Sequence, residues 1–287
     1  MFSLVNNRKV GVSMEIQLWR EILDPYALAV DELMVKFNHI IHEYRMSGTY
    51  SPIEQVQGRV KKITSIIEKA TKKNVSLSEV EERIDDIAGI RIICQFVEDI
   101  YKVVDLIRKR TDMRIKSEKD YVSSVKQSGY RSYHIIVYYN VETMKGTKEL
   151  QVEIQIRTLA MNFWATIEHS LQYKYKKNIP MDIREKLSNA AEAIKTLDME
   201  MSNIRTEIME AQKSFTIKAT MVADILNNIQ NLYGVIQQEE VLAIQEEFLS
   251  IYKSGDLNKL EELNKRIDNI STLYNAQSIA DETRNML

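Results

Sequence analysis

Residues 148–157, KELQVEIQIR, constrain the fold more than any other segment of the chain. Leu150, Val152, Ile154 and Ile156 alternate with Gln151, Glu153, Gln155 and Arg157, the period of a strand with one apolar and one polar face. TMKGT at 143–147 supplies a turn, and SYHIIVYYNV at 132–141 is a second strand-like run. A sheet covered on both faces does not normally show Glu153 and Gln155 on one of them, so the polar face is expected to line a cleft. GIRIICQFV at 89–97 adds a buried strand rich in β-branched residues, and 113–122 an edge strand. Helices are expected over 99–110, where Ile100, Val103, Val104 and Ile107 recur, and over 159–176. This order predicts an α+β domain, a mixed β-sheet flanked by helices.

Toward the N-terminus, Leu28, Val30, Leu33, Phe37, Ile40 and Ile41 predict a helix over 27–46, and residues 1–13 are expected to lack regular structure, with Met14 as an alternative start. A second helix is expected over 53–72. Val56, Val60, Ile63, Ile66 and Ile67 form one side, and Arg59, Lys61, Lys62, Lys69, Lys72 and Lys73 the other. Beyond Pro180, Ile183, Leu187, Ala190, Ile194, Leu197, Met201, Ile204 and Ile208 step by three and four, the spacing of a long helical seam. Gly234 and Gly255 are the expected helix breaks, with a further seam at Leu260, Leu263, Ile267, Ile270 and Leu273. Three parts follow: an N-terminal helical segment (1–50), a sheet domain (51–180) and a helical C-terminal extension (181–287). The tail is expected to join copies into a homo-oligomer, a tetramer being favoured, or else to pack on its own core.

Few glycines (8) and prolines (3) suit a chain rich in helix. A single cysteine, Cys94, excludes an internal disulfide and a cysteine-based zinc site. Neither a signal peptide nor an apolar run of about 18 residues is found, so the expected location is the cytoplasm, with no membrane partner. Charge is uneven. Residues 181–287 carry 18 acidic and 11 basic side chains, residues 1–180 carry 23 and 28. A basic first part suits a polyanion such as a nucleotide. RNA binding is possible but not indicated, because the acidic tail opposes a chain that coats nucleic acid.

Two carboxylates stand out: Asp86 in ERIDDIAGIR, just before a strand, and Glu153 on the polar face of another. Mg²⁺ with a nucleotide uses one or two carboxylates, phosphate oxygens and water. KDYVSSVKQSGYRSYH at 119–134 mixes Lys119, Lys126 and Arg131 with Tyr121, Tyr130 and Tyr133, cations for phosphate and rings for stacking a base.

The string EIQIRT followed by W, EH and YK, together with DDIAGIR and KDY…GYRSYH, resembles the synthetase domain of the RelA/SpoT family. The blocks lie in the family's order and cover about residues 50–180. The short chain resembles the small alarmone synthetases, the RelP/RelQ kind. The resemblance implies a nucleotidyltransferase-like synthetase fold, Mg²⁺ as cofactor, and transfer of pyrophosphate from ATP to the 3′-hydroxyl of GTP or GDP in the stringent response. By the same resemblance, Asp86 holds metal, and Glu153 also reaches the metal or acts as base on the hydroxyl. Arg59 and Arg91 sandwich adenine, while Lys61, Ser65 and Lys119 contact ATP phosphates. Tyr130 stacks on guanine, with Lys126, Arg131, His134, Gln155 and Asn162 near the acceptor. Two positions depart: Ser128-Gly129-Tyr130 stands where many relatives have Asn-Gly-Tyr, and Ser117 where long members often have Arg.

The family's hydrolase uses a His-Asp metal site. None of His39, His42, His134 and His169 is followed by Asp, so no hydrolase is expected. Two alternatives are a nucleotidyltransferase acting on RNA, which wants a Gly-Ser opening and a closely spaced acidic pair, and a catalytically silent nucleotide- or RNA-binding regulator on the same fold.

Overall fold

The computed structural model describes residues 2–175, 180–233 and 236–285, with side chains from residue 18 to residue 273 apart from Tyr173 within those ranges. In chain order the elements are α1 (Phe2–Met46), β1 (Gln55–Val60), α2 (Ile63–Lys73), α3 (Val80–Arg83), β2 (Ala88–Cys94), α4 (Val97–Arg108), β3 (Met113–Asp120), β4 (Tyr133–Thr143), β5 (Gly146–Thr158), α5 (Leu159–Lys174), α6 (Met181–Leu232), α7 (Gln238–Ser254) and α8 (Leu257–Asn285). A short 3₁₀ turn at Leu77–Glu79 precedes α3.

The sheet order is β1-β2-β5-β4-β3. Only β2 and β5 run parallel; the other neighbours are antiparallel. The expected α+β mixed sheet is therefore found. Leu150, Val152, Ile154 and Ile156 are all buried, as their alternation requires, and they share one core with Ile90 and Ile92 of β2 and Ile135 and Val137 of β4. Tyr26, Leu33 and Phe37 of α1 and Ile100, Val103, Val104 and Ile107 of α4 belong to the same core. These apolar residues lie at helical spacing, so each helix presents one stripe to the sheet.

Three expectations are corrected. Residues 55–60 form a strand, not the first turns of a helix. Val56 and Val60 lie four apart, which fits one helical turn and also two strand repeats; Gly58 between them hides the alternation. The glycine is required because α1 crosses here: a Cβ on Gly58 would lie 2.5 Å from Val30 Cγ1 and 2.9 Å from Met34 Cγ. α1 begins at Phe2 and includes Pro25, so residues 2–13 are helical and the helix does not start at 27.

Two compact units divide the chain, Met1–Asn203 and Ile204–Leu287. The second has its own core, including Ile225, Ile229, Leu232, Val241, Phe248, Leu260, Leu263 and Ile267. α7 ends at Gly255, one of the two expected breaks; Gly234 lies outside the described residues. No described helix is long and apolar enough to cross a membrane.

Within the first unit, α6 is tied to the end of β5. Thr158 Oγ1 donates to Asp198 Oδ2 at 2.8 Å, and both side chains are buried. Burial pushes the Asp198 carboxyl up from the usual 3.8 to about 6. Below pH 3.8 both folded and unfolded chains hold the proton. Between 3.8 and 6 only the folded chain keeps it, so stability falls as pH rises, and above 6 the cost of the buried charge is complete. Asp198→Asn keeps an acceptor for Thr158 and removes the charge. It should raise unfolding free energy at pH 7.5 by about 1 to 2 kcal/mol. Urea titrations of both proteins should show that gain vanish below pH 4.

Candidate active site

The open face of the sheet is built by register. Across the strands, Arg59 stands beside Gly89 and Gly89 beside Glu153; one step along, Gln57, Arg91, Gln155, His134 and Lys119 form a second row. Gly89 leaves the row between Arg59 and Glu153 without a side chain. A cleft of ≈ 140 Å³ results, lined by Gln57, Arg59, Gly89, Arg91, Glu153 and Gln155 among others. Arg91 Nε is buried with no hydrogen-bond partner among the described residues. Burial and the neighbouring Arg59 charge both lower the Arg91 pKa, so the two guanidiniums face one cleft at close quarters.

Glu153 is the acceptor of a closed hydrogen-bond ring. His134 Nδ1 lies 2.9 Å from Glu153 Oε1, and Tyr130 OH lies 2.8 Å from His134 Nε2. Arg157 Nη2 donates to Tyr130 OH at 3.0 Å and also to Gln155 Oε1, while Gln155 Nε2 donates to Glu153 Oε2 at 2.8 Å. With the imidazole proton assigned to Nδ1, every link has one donor and one acceptor. Burial alone would raise the Glu153 pKa; the His134 contact and the Gln155 amide outweigh it and hold the carboxyl below its ordinary range. Glu153 is thus ionised and its orientation is set.

Asp86 precedes β2 and is close enough for its charge to act on Glu153. Lys61 Nζ lies 2.6 Å from its Oδ2, and Lys69 Nζ 2.9 Å from its Oδ1. Burial raises the Asp86 pKa and these two lysines bring it below the usual value. Two ionised, half-buried carboxylates on one side of the sheet fit a divalent cation with open positions for phosphate and water. Among the described residues no cluster of three or more His, Cys, Asp or Glu offers a complete cage, so such a cation would need oxygen ligands from a nucleotide.

Tyr121 and Tyr130 stand edge to face, 6.3 Å between centroids, with Lys126 Nζ 4.2 Å from one ring centre and 4.8 Å from the other. Tyr121 also meets His134 edge-on at 5.3 Å. Of the residues expected from the sequence, the structure gathers Arg59, Arg91, Glu153, Gln155, His134, Tyr130 and Lys126 on this face, with Asp86 and Lys61 at its edge. Lys119 is exposed on β3 opposite His134. Ser65 is half-buried in the first turn of α2. Asn162 lies on α5 with Oδ1 buried and unpartnered among the described residues. Arg131 is not brought to the face: it is buried and bonds Ala191 O and Glu192, both at 3.0 Å. The structure adds Lys69, read from the sequence only as part of a basic stripe, and Arg157, whose burial lowers its pKa to about 10. The strand period put Arg157 on the polar face and the basic stripe held Lys69, but neither pattern gave their partners, Tyr130 for Arg157 and Asp86 for Lys69.

The model for the region found in RelA/SpoT proteins matches residues 58–178. The GTP pyrophosphokinase YjbM of Bacillus subtilis is 51% identical over 205 residues, 71% of this chain and 97% of that protein. Small alarmone synthetase 1 of Bacillus subtilis, solved with its product pppGpp, superposes with a TM-score of 0.65 at 51% identity, covering 67% of this chain and 98% of that one. The same enzyme bound to AMPCPP gives 0.60 at 48% identity, covering 68% and 99%. The chain belongs to the RelA/SpoT family, and its resemblance to the small alarmone synthetases extends over nearly their whole length.

Proposed function

We propose that this chain is a GTP pyrophosphokinase that moves the β,γ-pyrophosphoryl group of ATP to the 3′-hydroxyl of GTP or GDP. The observation that carries the reading is Glu153, ionised and fixed between His134 and Gln155 at the centre of a face bounded by cations and rings. The acceptor oxygen attacks the β-phosphorus, the bond from that phosphorus to the oxygen bridging to the α-phosphate breaks, and AMP leaves with that oxygen. The hydroxyl proton passes to Glu153. Arg59 and Arg91 hold adenine between them; Lys61, Ser65, Lys69 and Lys119 face the ATP phosphates. Tyr130 stacks on guanine, and Lys126, which lies over that ring, shifts to the acceptor phosphates, with Gln155 and Asn162 nearby. Asp86 and Glu153 would hold Mg²⁺, which when bound neutralises charge on the transferred group. The role is alarmone production in a stress response. Incubation with ATP and GTP, followed by anion-exchange separation, should yield AMP and guanosine pentaphosphate in equal amounts, and EDTA should stop both. Formation of ADP instead would contradict the assignment.

A second copy of the chain is the partner we assign to α6. Leu197, Met201, Ile204 and Ile208 step by four, three and four along it and are 43 to 53% exposed, the pattern of a helix seam awaiting another helix. Light scattering at micromolar concentration should give a multiple of the 33.5 kDa chain mass, a tetramer on this reading. The double variant Met201→Glu, Ile204→Glu should give the monomer mass; a monomeric parent protein would contradict the seam.

A further inference from the structure

We propose that Arg131 is a positioning residue for the acceptor nucleotide, acting through α6 rather than by touching substrate; the proposal rests on the pyrophosphokinase reading of the site. Arg131 follows Tyr130, the ring assigned to guanine, yet its side chain points into the protein. It is 7% exposed, with Nη1 donating to Ala191 O and Nη2 to Glu192, both at 3.0 Å. The residues before it rest on the same stretch of helix. Ala191 Cβ lies where a Cβ on Gly129 would be only 2.4 Å away, and Tyr130 packs on the cluster of Trp164, Ala165 and Ala191 with Leu187 and Ile194. Trp164 Nε1 in turn donates to Leu187 O at 2.9 Å.

Tyr130 is therefore held from two sides. Its hydroxyl is fixed by Arg157 and His134, and its ring by α5 and α6. Arg131 pins the backbone next to the ring to the helix that supplies half of that support. A planar guanidinium that satisfies a carbonyl and a carboxylate together is a geometric clamp, which a lysine reproduces only in part. The donor nucleotide, by contrast, is bounded by residues of β1, β2 and α2 with Lys61 and, on β3, Lys119, and among the described residues the side-chain hydrogen bonds of Arg131 go only to Ala191 and Glu192 of α6. Loosening the clamp should misplace Tyr130 and leave the ATP side as it was.

The test is steady-state kinetics on the full chain with Arg131→Ala, Arg131→Lys and Glu192→Ala, varying ATP and each acceptor separately. Arg131→Ala should raise the acceptor KM about tenfold with the ATP KM unchanged. The rise should be equal for GTP, GDP and GMP, because the clamp bears on the base. Arg131→Lys should recover part of the loss. Glu192→Ala, at an exposed site that will not compromise folding, should show a smaller rise of the same kind, and amide exchange over residues 127–131 should quicken. The double variant should cost less than the two single losses combined. An effect that grows with the number of acceptor phosphates, or a silent Glu192→Ala with unchanged exchange, would overturn the proposal in favour of direct phosphate contact. Both results leave the wild-type reaction standing, whereas a wild type without pyrophosphate transfer would remove the premise itself.

Discussion

Glu153→Gln should lower the rate of pyrophosphate transfer by about a thousandfold while leaving nucleotide binding measured without Mg²⁺ nearly intact. Glutamine keeps the shape of the side chain and an oxygen to accept from His134 Nδ1, but an amide cannot take the proton of the attacking hydroxyl. The ring of Arg157, Tyr130, His134 and Gln155 exists around a carboxylate: two donors converge on it, and its pKa lies below the ordinary range despite burial. Loss of the base function by protonation should accordingly occur only in acid, and the wild-type rate should not fall through this group near neutral pH. Rapid-quench kinetics with saturating ATP and GTP measure the loss; nucleotide titration by calorimetry measures what remains of binding. A residual rate within tenfold of wild type would move the base role elsewhere.

Gly129→Ala should both destabilise the fold and impair acceptor binding. Gly129 has φ +84°, a conformation costly for any residue with a Cβ. The new methyl would also meet Ala191 Cβ at 2.4 Å, with Trp164 Cζ2 and Ser188 Cα at 3.8 Å. Strain of about 1 kcal/mol and overpacking of about 1 to 3 kcal/mol give a loss of about 2 to 4 kcal/mol, measurable by urea unfolding. Relief of the contact would push Tyr130 from its seat, so the acceptor KM should rise well before the ATP KM does. Unchanged stability would mean that the loop and α6 separate easily, contrary to their packing.

Local patterns were the legible part of this molecule. β5 and β4 could be read because four apolar residues alternate without interruption and a turn separates the two runs. The shared polar face of Glu153 and Gln155 followed from the strand period, whereas Arg91 and Tyr130 were joined to them only by the resemblance of their motifs to the family. β1 was obscured because Gly58 stands where an apolar residue would complete the alternation, and its reason is α1 packed above it. The stripe that marked a helix from 27 gave no sign of the turns before it, where α1 accommodates Pro25. The tie between Thr158 and Asp198 spans forty positions, and the clamp of Arg131 on α6 spans sixty. No periodicity announces contacts of that range; they arise when α6 returns to the sheet. Arg131 shows the consequence, since its motif suggested a substrate contact and its side chain turns the other way.

The most direct test of the central claim follows the phosphorus itself. ATP labelled at the β-phosphorus is incubated with GTP, Mg²⁺ and the protein, and the products are separated and counted. Transfer of the intact pyrophosphoryl group predicts label in the guanosine product, unlabelled AMP and no ADP. Label retained in ADP, or in ATP that is bound but never consumed, would contradict the account and make this face a site for sensing nucleotides.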